Sequence, residues 1–270
     1  MKGIWAAVLT PVRDTLEPDV PRAITYYAEL LGRGCDGINL LGTTGEAMSL
    51  GADRRRHFME ALASSGMPMD RVMAGTGAAS LDDAVALTRT AFACGFAAAL
   101  VMPPFFFRDA SDDGIIRFFD TLFTRTNPQP KKILLYNFPR MSGIAFRPAL
   151  VARLVEAFPG IVAGMKDSSN DPRLQSEIVA RHADFFVLPG SERDLLAAKA
   201  RGVAGCISGS VALWPELVQD VWTNGDPSKG EELSQKRAAL ENQPFIPAVR
   251  RLVAAQRNDP AWMRAMPPLT

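Results

Sequence analysis

The sequence predicts a (β/α)8 barrel, an α/β fold, with extra helices at its C-terminal end. Eight short runs of four or five apolar residues recur along the first 222 positions, and they lack polar alternation. Such runs are typical of parallel strands that are covered on both faces. Longer amphipathic segments with helical spacing follow them, and eight strand–helix units in succession favour a closed barrel.

The predicted elements alternate regularly along the chain. The strands are at 5–9, 37–41, 71–75, 98–102, 133–137, 162–166, 185–189 and 205–208. The helices are at 20–32, 51–65, 81–94, 112–125, 148–157, 172–181, 192–201 and 214–222. Ser80 and Ser111 precede helices with acidic first turns, as N-terminal caps do. Gly32, Gly95 and Gly202 stand at helix ends, where a C-terminal cap favours glycine.

A doubly wound sheet is the alternative fold, and the end of the first strand argues against it. That strand continues as "LTPVRD", which is not the glycine-rich turn of a dinucleotide-binding sheet. Residues 1–222 are therefore predicted to form the barrel. Residues 223–270 are predicted to be a helical extension packed on the barrel in the same domain. The segment "TNGDPSKGEE" (223–232) is predicted to be an exposed loop because of its glycine, proline and polar residues.

Composition restricts the partners and the compartment. The 270 residues are 47% hydrophobic and carry a formal net charge of +1, whereas nucleic-acid or anionic membrane partners favour a basic excess. Cys35, Cys94 and Cys206 are far apart, which predicts reduced, buried thiols in a cytosolic protein. The start "MKGIWAAVLTPVRD" lacks the features of a signal peptide, and the apolar run 91–107 is interrupted by glycine and proline. A cytoplasmic protein without nucleic-acid or membrane partners is expected.

Lys166 is the most unusual residue, because it ends a predicted buried strand. In a barrel of this kind, functional groups lie at the C-terminal ends of strands and in the loops that follow. Burying an ammonium without a partner is strongly unfavourable, and loss of the proton is the usual escape. A neutral amine can attack a ketone and form a Schiff base, which accepts electrons. The alternative is a lysine that reaches the barrel rim or pairs with Asp167.

Tyr136 ends the fifth predicted strand, next to the sixth strand in any (β/α)8 barrel. Its hydroxyl and the Lys166 amine can therefore share one mouth. A phenol can relay protons while the carbinolamine forms and loses water. The alternative is a buried tyrosine that is hydrogen-bonded to a carbonyl group.

The turn "GTTGEA" (42–47) follows the second predicted strand. Thr43 and Thr44 offer hydroxyl and backbone N–H groups that suit a carboxylate. The turn lacks the lysine of a phosphate loop and the spacing of a dinucleotide fingerprint. Its glycines are also explained by backbone needs alone.

Five motifs in order carry a family resemblance along nearly the whole chain. They are "GTTGE", "YNFP", "GMKDSS", "PGSE" and "GCISGS". The chain resembles the dihydrodipicolinate synthase / N-acetylneuraminate lyase family of pyruvate-dependent class I aldolases. The resemblance implies that Lys166 forms a Schiff base with pyruvate or another 2-oxo acid and that Tyr136 relays protons. It also implies a homo-oligomer, a tetramer or dimer, and no metal or organic cofactor.

The same resemblance implies a set of substrate-binding residues. Thr43 and Thr44 would hold the carboxylate, with Thr43 also in the catalytic group. Gly190 and Ile207 would contribute backbone contacts. The motifs around the seventh strand and after Lys166 add two predicted substrate-binding residues, Glu192 and Ser168.

Two departures from the family pattern restrict the set of activities that we expect. The synthases carry an arginine where this chain has Met141, and here Arg140 stands one position early. They also have a tyrosine pair in a region that is Phe105–Phe107 here. We therefore expect reversible cleavage of a 2-keto-3-deoxy sugar acid or similar 2-oxo acid into pyruvate and an aldehyde. The alternatives are 4-hydroxy-tetrahydrodipicolinate (dihydrodipicolinate) synthase in lysine biosynthesis and, in another class, a non-catalytic barrel that binds 2-oxo acids.

Two arginines are candidates for recognising the far end of the substrate. Arg140 and Arg193 could bind a distal carboxylate or phosphate, and solvated rim arginines are the alternative. His57 and His182 lie on predicted helices away from the mouth and are given no catalytic role. The sequence predicts no metal site, since it has no cluster of metal-ligating residues.

Overall fold

The computed structural model of the protein describes residues 1–130 and 132–269. The strands are β1 Gly3–Ala7, β2 Gly37–Leu40, β3 Val72–Gly75, β4 Ala98–Val101, β5 Ile133–Asn137, β6 Val162–Asp167, β7 Phe186–Pro189 and β8 Gly205–Ser208. The first helices are α1 Val20–Gly32, α2 Ala52–Ala63, α3 Leu81–Ala93, α4 Asp112–Thr126, α5 Pro139–Ser142 and α6 Pro148–Ala157. The remaining helices are α7 Pro172–Arg181, α8 Leu195–Ala200, α9 Pro215–Asn224, α10 Pro227–Glu241 and α11 Phe245–Arg257.

The eight strands form one parallel sheet that curls into a barrel. Their order is β7-β6-β5-β4-β3-β2-β1-β8. The two ends of the sheet meet, since the Ala204 N–H before β8 donates to the Val187 carbonyl of β7 over 2.9 Å. The prediction of a (β/α)8 barrel with C-terminal helices is therefore confirmed.

Three local predictions need correction, and one of them is the predicted helix 192–201, which begins only at Leu195. Strand β1 lies two residues earlier than the predicted 5–9, because parallel pairing with β8 begins at Gly3 opposite Gly205. The predicted loop at 223–232 is wrong from residue 227 onward, where α10 begins. The Asp226 carboxylate accepts hydrogen bonds from the N–H groups of Ser228 and Lys229, and Pro227 occupies the first helical turn. Glycine and polar residues disfavour a helix, but an N-cap followed by proline favours the start of one. Here the N-cap and the proline have the larger effect.

The barrel interior is a packed apolar core of its own. Trp5, Met73, Leu134, Leu188 and Ile207 fill it from different strands. A second, larger core lies between the outer faces of the strands and the surrounding helices. Full burial of each large apolar side chain contributes about 1.5–3 kcal/mol. The interior of the barrel is therefore filled by side chains.

The chain after α9 returns to the barrel through α10 and α11. The Arg250 side chain of α11 is buried and donates to the Glu46 carboxylate over 2.6 Å and to the Thr10 carbonyl over 2.9 Å. These contacts support our proposal that residues 223–270 extend the barrel 1–222 within one domain. In the part of the chain that the structure describes, no helix is long and apolar enough to span a bilayer.

The cysteines are free thiols. Cys35 and Cys206 are buried, and Cys94 is half-buried. Burial raises the pKa of the Cys35 thiol to about 12 and the pKa of the Cys206 thiol well above its ordinary value. Both groups therefore stay protonated and chemically inert near neutral pH.

Candidate active site

A cavity of about 650 Å³ opens at the C-terminal ends of the strands. Two walls enclose it. The strand wall consists of the strand ends and the loops that follow them, and it includes Thr44, Tyr136 and Lys166. The helix wall consists of the C-terminal part of α10 and the start of α11, and it includes Arg237 and Phe245. A small molecule entering the barrel mouth would contact both walls.

Lys166 and Tyr136 lie side by side on the strand wall. The parallel register of β5 and β6 pairs these two residues directly. The Lys166 Nζ lies over the Tyr136 ring, 4.5 Å from its centroid. Both residues are 4% exposed. The alternative that Lys166 reaches the rim does not hold, because the side chain stays inside the mouth.

The Asp167 carboxylate is occupied elsewhere and does not pair with Lys166. It accepts hydrogen bonds from Asn137 Nδ2 over 2.7 Å, Gln175 Nε2 over 2.8 Å and Ser169 Oγ over 3.0 Å. Successive residues of a strand point to opposite faces, so Asp167 points away from the barrel axis while Lys166 points toward it. This buried network fixes the end of β6 and therefore the position of the Lys166 backbone.

The Tyr136 hydroxyl lies 3.2 Å from Thr43 Oγ1, and either oxygen can donate. The tyrosine therefore bonds to a hydroxyl group that itself lines the cavity, rather than to a carbonyl. A pair of hydroxyls can pass a proton by changing which oxygen donates.

The loop that carries Thr43 and Thr44 is held from behind by Glu46. Glu46 has a left-handed backbone conformation with a φ of 54°. Its buried carboxylate accepts from Arg250 Nε over 2.6 Å and from the Met266 N–H over 2.7 Å. The glutamate of the motif "GTTGEA" thus ties the loop to the C-terminal helices instead of contacting a ligand.

Ser168 and Gly190 occupy neighbouring loops of the strand wall. A Cβ atom on Gly190 would lie 2.1 Å from Ser168 Oγ, so a larger residue here would force Ser168 to move. The Gly190 N–H donates to the Asp167 carbonyl over 2.6 Å. Both residues line the cavity.

Seven of the ten predicted site residues line the cavity. They are Thr43, Thr44, Tyr136, Arg140, Lys166, Ser168 and Gly190. Ile207 instead lies in the barrel interior, where no part of it is exposed. Glu192 is fully buried beside Arg237, and Arg193 is exposed and pairs with Glu241 over 2.6 Å. Neither of these two side chains lines the cavity.

The helix wall contains site residues that sequence reasoning missed. Arg237, Glu241 and Phe245 line the cavity, and so does Gln243 between the two helices. The only sequence signal is a basic residue four positions before an acidic one on α10, which is a common surface pattern. The pattern does not reveal that this helix face turns toward the barrel mouth.

Phe105, Phe106 and Phe107 lie outside the cavity lining. Phe106 and Phe107 are 73% and 69% exposed, and Phe105 packs partly against the barrel interior. Tyr136 is the one tyrosine that lines the cavity, since Tyr26 and Tyr27 are buried in α1. Across the described residues, no three histidine, cysteine or acidic side chains come together as a metal site.

Comparisons with known proteins agree with this architecture. The model of the dihydrodipicolinate synthetase family matches residues 1–259. A dihydrodipicolinate synthase structure from Agrobacterium tumefaciens str. C58 is 31% identical, with a TM-score of 0.93 over 100% of this chain and 93% of that one. A prophage protein of the dihydrodipicolinic acid synthase family from E. coli K12, YagE, solved with pyruvate, is 25% identical, with a TM-score of 0.86 over 99% and 92%.

A sequence relative gives the same assignment. An uncharacterized DapA-like lyase from Chloroflexus aurantiacus is 30% identical over 98% of this chain and 86% of its own length. The chain belongs to the dihydrodipicolinate synthetase family. The predictions of the family and of an enzyme of the Schiff-base lyase class are thereby confirmed.

Proposed function

We propose that the protein is a lyase that reversibly cleaves a 2-keto-3-deoxy sugar acid. Lys166 forms the Schiff base with pyruvate or another 2-oxo acid. The observation that carries the proposal is the pairing of Lys166 with Tyr136 on adjacent strands of one cavity, with Nζ 4.5 Å from the ring. A lysine amine in its neutral form is a nucleophile for a ketone, and the adjacent phenol supplies the proton transfers that this chemistry needs.

The reaction begins at the ketone carbon of the substrate. The Lys166 amine adds to C2, and the carbinolamine loses water to give an iminium. Tyr136 moves the protons, with Thr43 as its hydrogen-bond partner at 3.2 Å. When the hydroxyl on C4 gives up its proton, the C3–C4 bond breaks and its electron pair moves into the iminium. The aldehyde then leaves, and the remaining enamine takes a proton at C3 and is hydrolysed to pyruvate.

The strand wall suits the carboxylate end of such a substrate. Thr43 and Thr44 supply hydroxyl and N–H groups beside Tyr136, and Ser168 and Gly190 complete this side of the cavity. Hydrogen-bond donors around a carboxylate orient C2 toward the amine. The pyruvate complex of the neighbour from E. coli K12 supports pyruvate as the common unit.

The choice of a sugar acid rests on the polar character of the cavity and on its single phenol. Ser169, Asn170 and Gln243 line the cavity together with Ser168 and can bond substrate hydroxyls. Dihydrodipicolinate synthesis is the second candidate, because the Agrobacterium tumefaciens neighbour is a dihydrodipicolinate synthase. The chain has only three tyrosines, and the other two are buried in α1, so a second relay phenol is lacking. We further propose that the protein acts as a cytoplasmic homo-oligomer, as the family resemblance suggests.

Borohydride reduction in the presence of pyruvate tests the proposal. The parent protein should gain the mass of one reduced pyruvate adduct on Lys166, and Lys166→Ala should gain none. Turnover is then measured with a panel of 2-keto-3-deoxy sugar acids and with pyruvate plus aspartate semialdehyde. An unmodified mass under saturating pyruvate would refute the Schiff-base proposal. An adduct without turnover of any panel member would favour a binding barrel instead.

A further inference from the structure

Arg237 on α10 is a buried cation that the chemistry at Lys166 does not use. The residue is 8% exposed and lines the cavity. Its one hydrogen bond among the described residues runs from Nε to Ser191 Oγ over 3.2 Å. The guanidinium lies over the Phe245 ring, 4.6 Å from the centroid. The buried Nη1 has no hydrogen-bond partner within the described part of the chain.

The acidic residues near Arg237 do not saturate its guanidinium. The nearest Glu192 oxygen lies 3.9 Å from Nε, and the nearest Glu241 oxygen lies 3.7 Å from Nη2. Both distances exceed hydrogen-bond range. Glu241 already holds Arg193 at 2.6 Å. A buried guanidinium with a free terminal edge is costly unless an acceptor arrives, because burial removes the water that would otherwise satisfy it.

The cavity as a whole also favours negative charge. Its described lining includes the basic residues Arg140, Lys166 and Arg237, but Glu241 is the only acidic residue. Glu192 does not line the cavity, but its buried carboxylate lies 3.9 Å from Arg237 Nε and offsets part of this positive charge. The substrate's own 2-oxo carboxylate is expected on the strand wall, beside Thr43 and Thr44. The Nη1 edge of Arg237, which has no hydrogen-bond partner among the described residues, is therefore left for another group.

We propose that Arg237 is a specificity residue that binds a second anionic group, a carboxylate or phosphate, at the end of the substrate far from the 2-oxo group. The inference rests on the proposed function and extends it to the substrate's second end. A planar guanidinium edge matches two oxygens of one anion, and charge-assisted bonds of this kind are about twice as strong as neutral ones. A terminal CH₂OH group would offer one acceptor oxygen and no charge.

Borohydride trapping of matched 2-oxo acids tests this without knowledge of the natural aldehyde. The probes are straight-chain 2-oxo acids of increasing length that end in methyl, carboxylate or phosphate. The readout is the probe concentration that gives half-maximal reduced adduct on Lys166. We expect the parent to favour an anionic end by about tenfold over methyl at the best length, equivalent to about 1.4 kcal/mol. The carboxylate and phosphate arms show which anion the site prefers.

Arg237→Gln should abolish the preference while pyruvate, which has no distal group, is trapped as in the parent. Lys236→Gln is the matched control, since it removes one exposed positive charge from the same helix and does not line the cavity. It should keep the preference. If Arg237→Gln destabilises the fold by leaving Glu192 buried without its cation, the Glu192→Gln/Arg237→Gln double variant removes both charges and allows the same measurement.

The outcomes separate the two proposals. Failure of the parent to trap pyruvate on Lys166 refutes the proposed function, and this inference falls with it. Normal pyruvate trapping without an anionic preference in the parent overturns the role of Arg237 alone. A preference that survives in both Arg237 variants overturns it as well.

Discussion

The two walls of the cavity are built in different ways. On the strand wall, Lys166 and Tyr136 are paired by the register of a parallel sheet, and each is 4% exposed. On the helix wall, Arg237 and Glu241 are placed by the packing of α10 and by side-chain contacts with Ser191 and Arg193, and Glu241 is exposed. Strand geometry fixes side chains within a fraction of an ångström, which suits reacting groups. A packed helix can vary without disturbing the barrel, which suits selection of the substrate's variable end.

A buried ion pair joins the helix side to the strand-wall loop that carries Thr43 and Thr44. Arg250 on the helix side bonds to Glu46 in the strand-wall loop and to the carbonyls of Thr10 and Trp262. Through this contact the C-terminal helices hold the loop that presents Thr43 and Thr44. The barrel alone would therefore form an incomplete site.

Lys166→Ala should have the largest effect of any single change. Without the amine no Schiff base forms, and turnover should fall on the order of 10⁵–10⁶-fold, the scale of removing a covalent nucleophile. The fold should survive, because a smaller side chain at the open mouth removes little packing. Steady-state rates measure the loss of turnover, and thermal melting checks that the fold survives. Residual turnover within about 100-fold of the parent would contradict a covalent role for Lys166.

Tyr136→Phe should lower turnover by about 10²–10⁴-fold, the usual contribution of one acid–base group. That equals about 3–5 kcal/mol of transition-state stabilisation. The pyruvate adduct should still form, but more slowly, because dehydration of the carbinolamine uses the same proton. Rapid-quench trapping with borohydride measures this rate. Near-normal turnover would show that Tyr136 is not the relay, and loss of the fold would show that its role is structural.

Glu46→Ala tests the link between the walls. It leaves the Arg250 guanidinium buried without its carboxylate, which should lower the free energy of unfolding by about 3–5 kcal/mol. Urea unfolding followed by circular dichroism measures the change. Glu60→Ala, which removes an exposed carboxylate from α2, is the control and should change stability by at most about 1 kcal/mol. Equal effects of the two changes would mean that the ion pair does not join the walls.

Phe106→Tyr should have the smallest effect: it should not change which reaction the protein catalyses. The side chain is 73% exposed and does not line the cavity, so a phenol there alone should not create dihydrodipicolinate synthesis. Met141 would still stand where the resemblance to the synthases implies an arginine. An assay with pyruvate and aspartate semialdehyde tests both the unmodified protein and the Phe106→Tyr variant for synthesis. Robust synthesis by the unmodified protein would show that neither departure from the family pattern matters.

The sequence was most informative where backbone geometry determines position. Apolar runs without alternation predicted the strands, and their C-terminal ends predicted that Lys166 and Tyr136 share one mouth. It was least informative for the helix wall, because no local pattern tells which way α10 packs. Glu192 and Arg193 are neighbours in the loop after β7, yet Glu192 is buried beside Arg237 and Arg193 is exposed. A loop side chain's direction depends on neighbours that are distant in sequence.

Exchange of the pyruvate methyl protons in D₂O, followed by proton NMR, tests the division of labour between the walls most directly. Exchange requires the Schiff base and its enamine but no aldehyde, so only the strand wall takes part. We expect rapid exchange in the parent and in Arg237→Gln, strongly slowed exchange in Tyr136→Phe, and none above the uncatalysed rate in Lys166→Ala. Exchange that persists without Lys166, or that is lost without Arg237, would contradict the account.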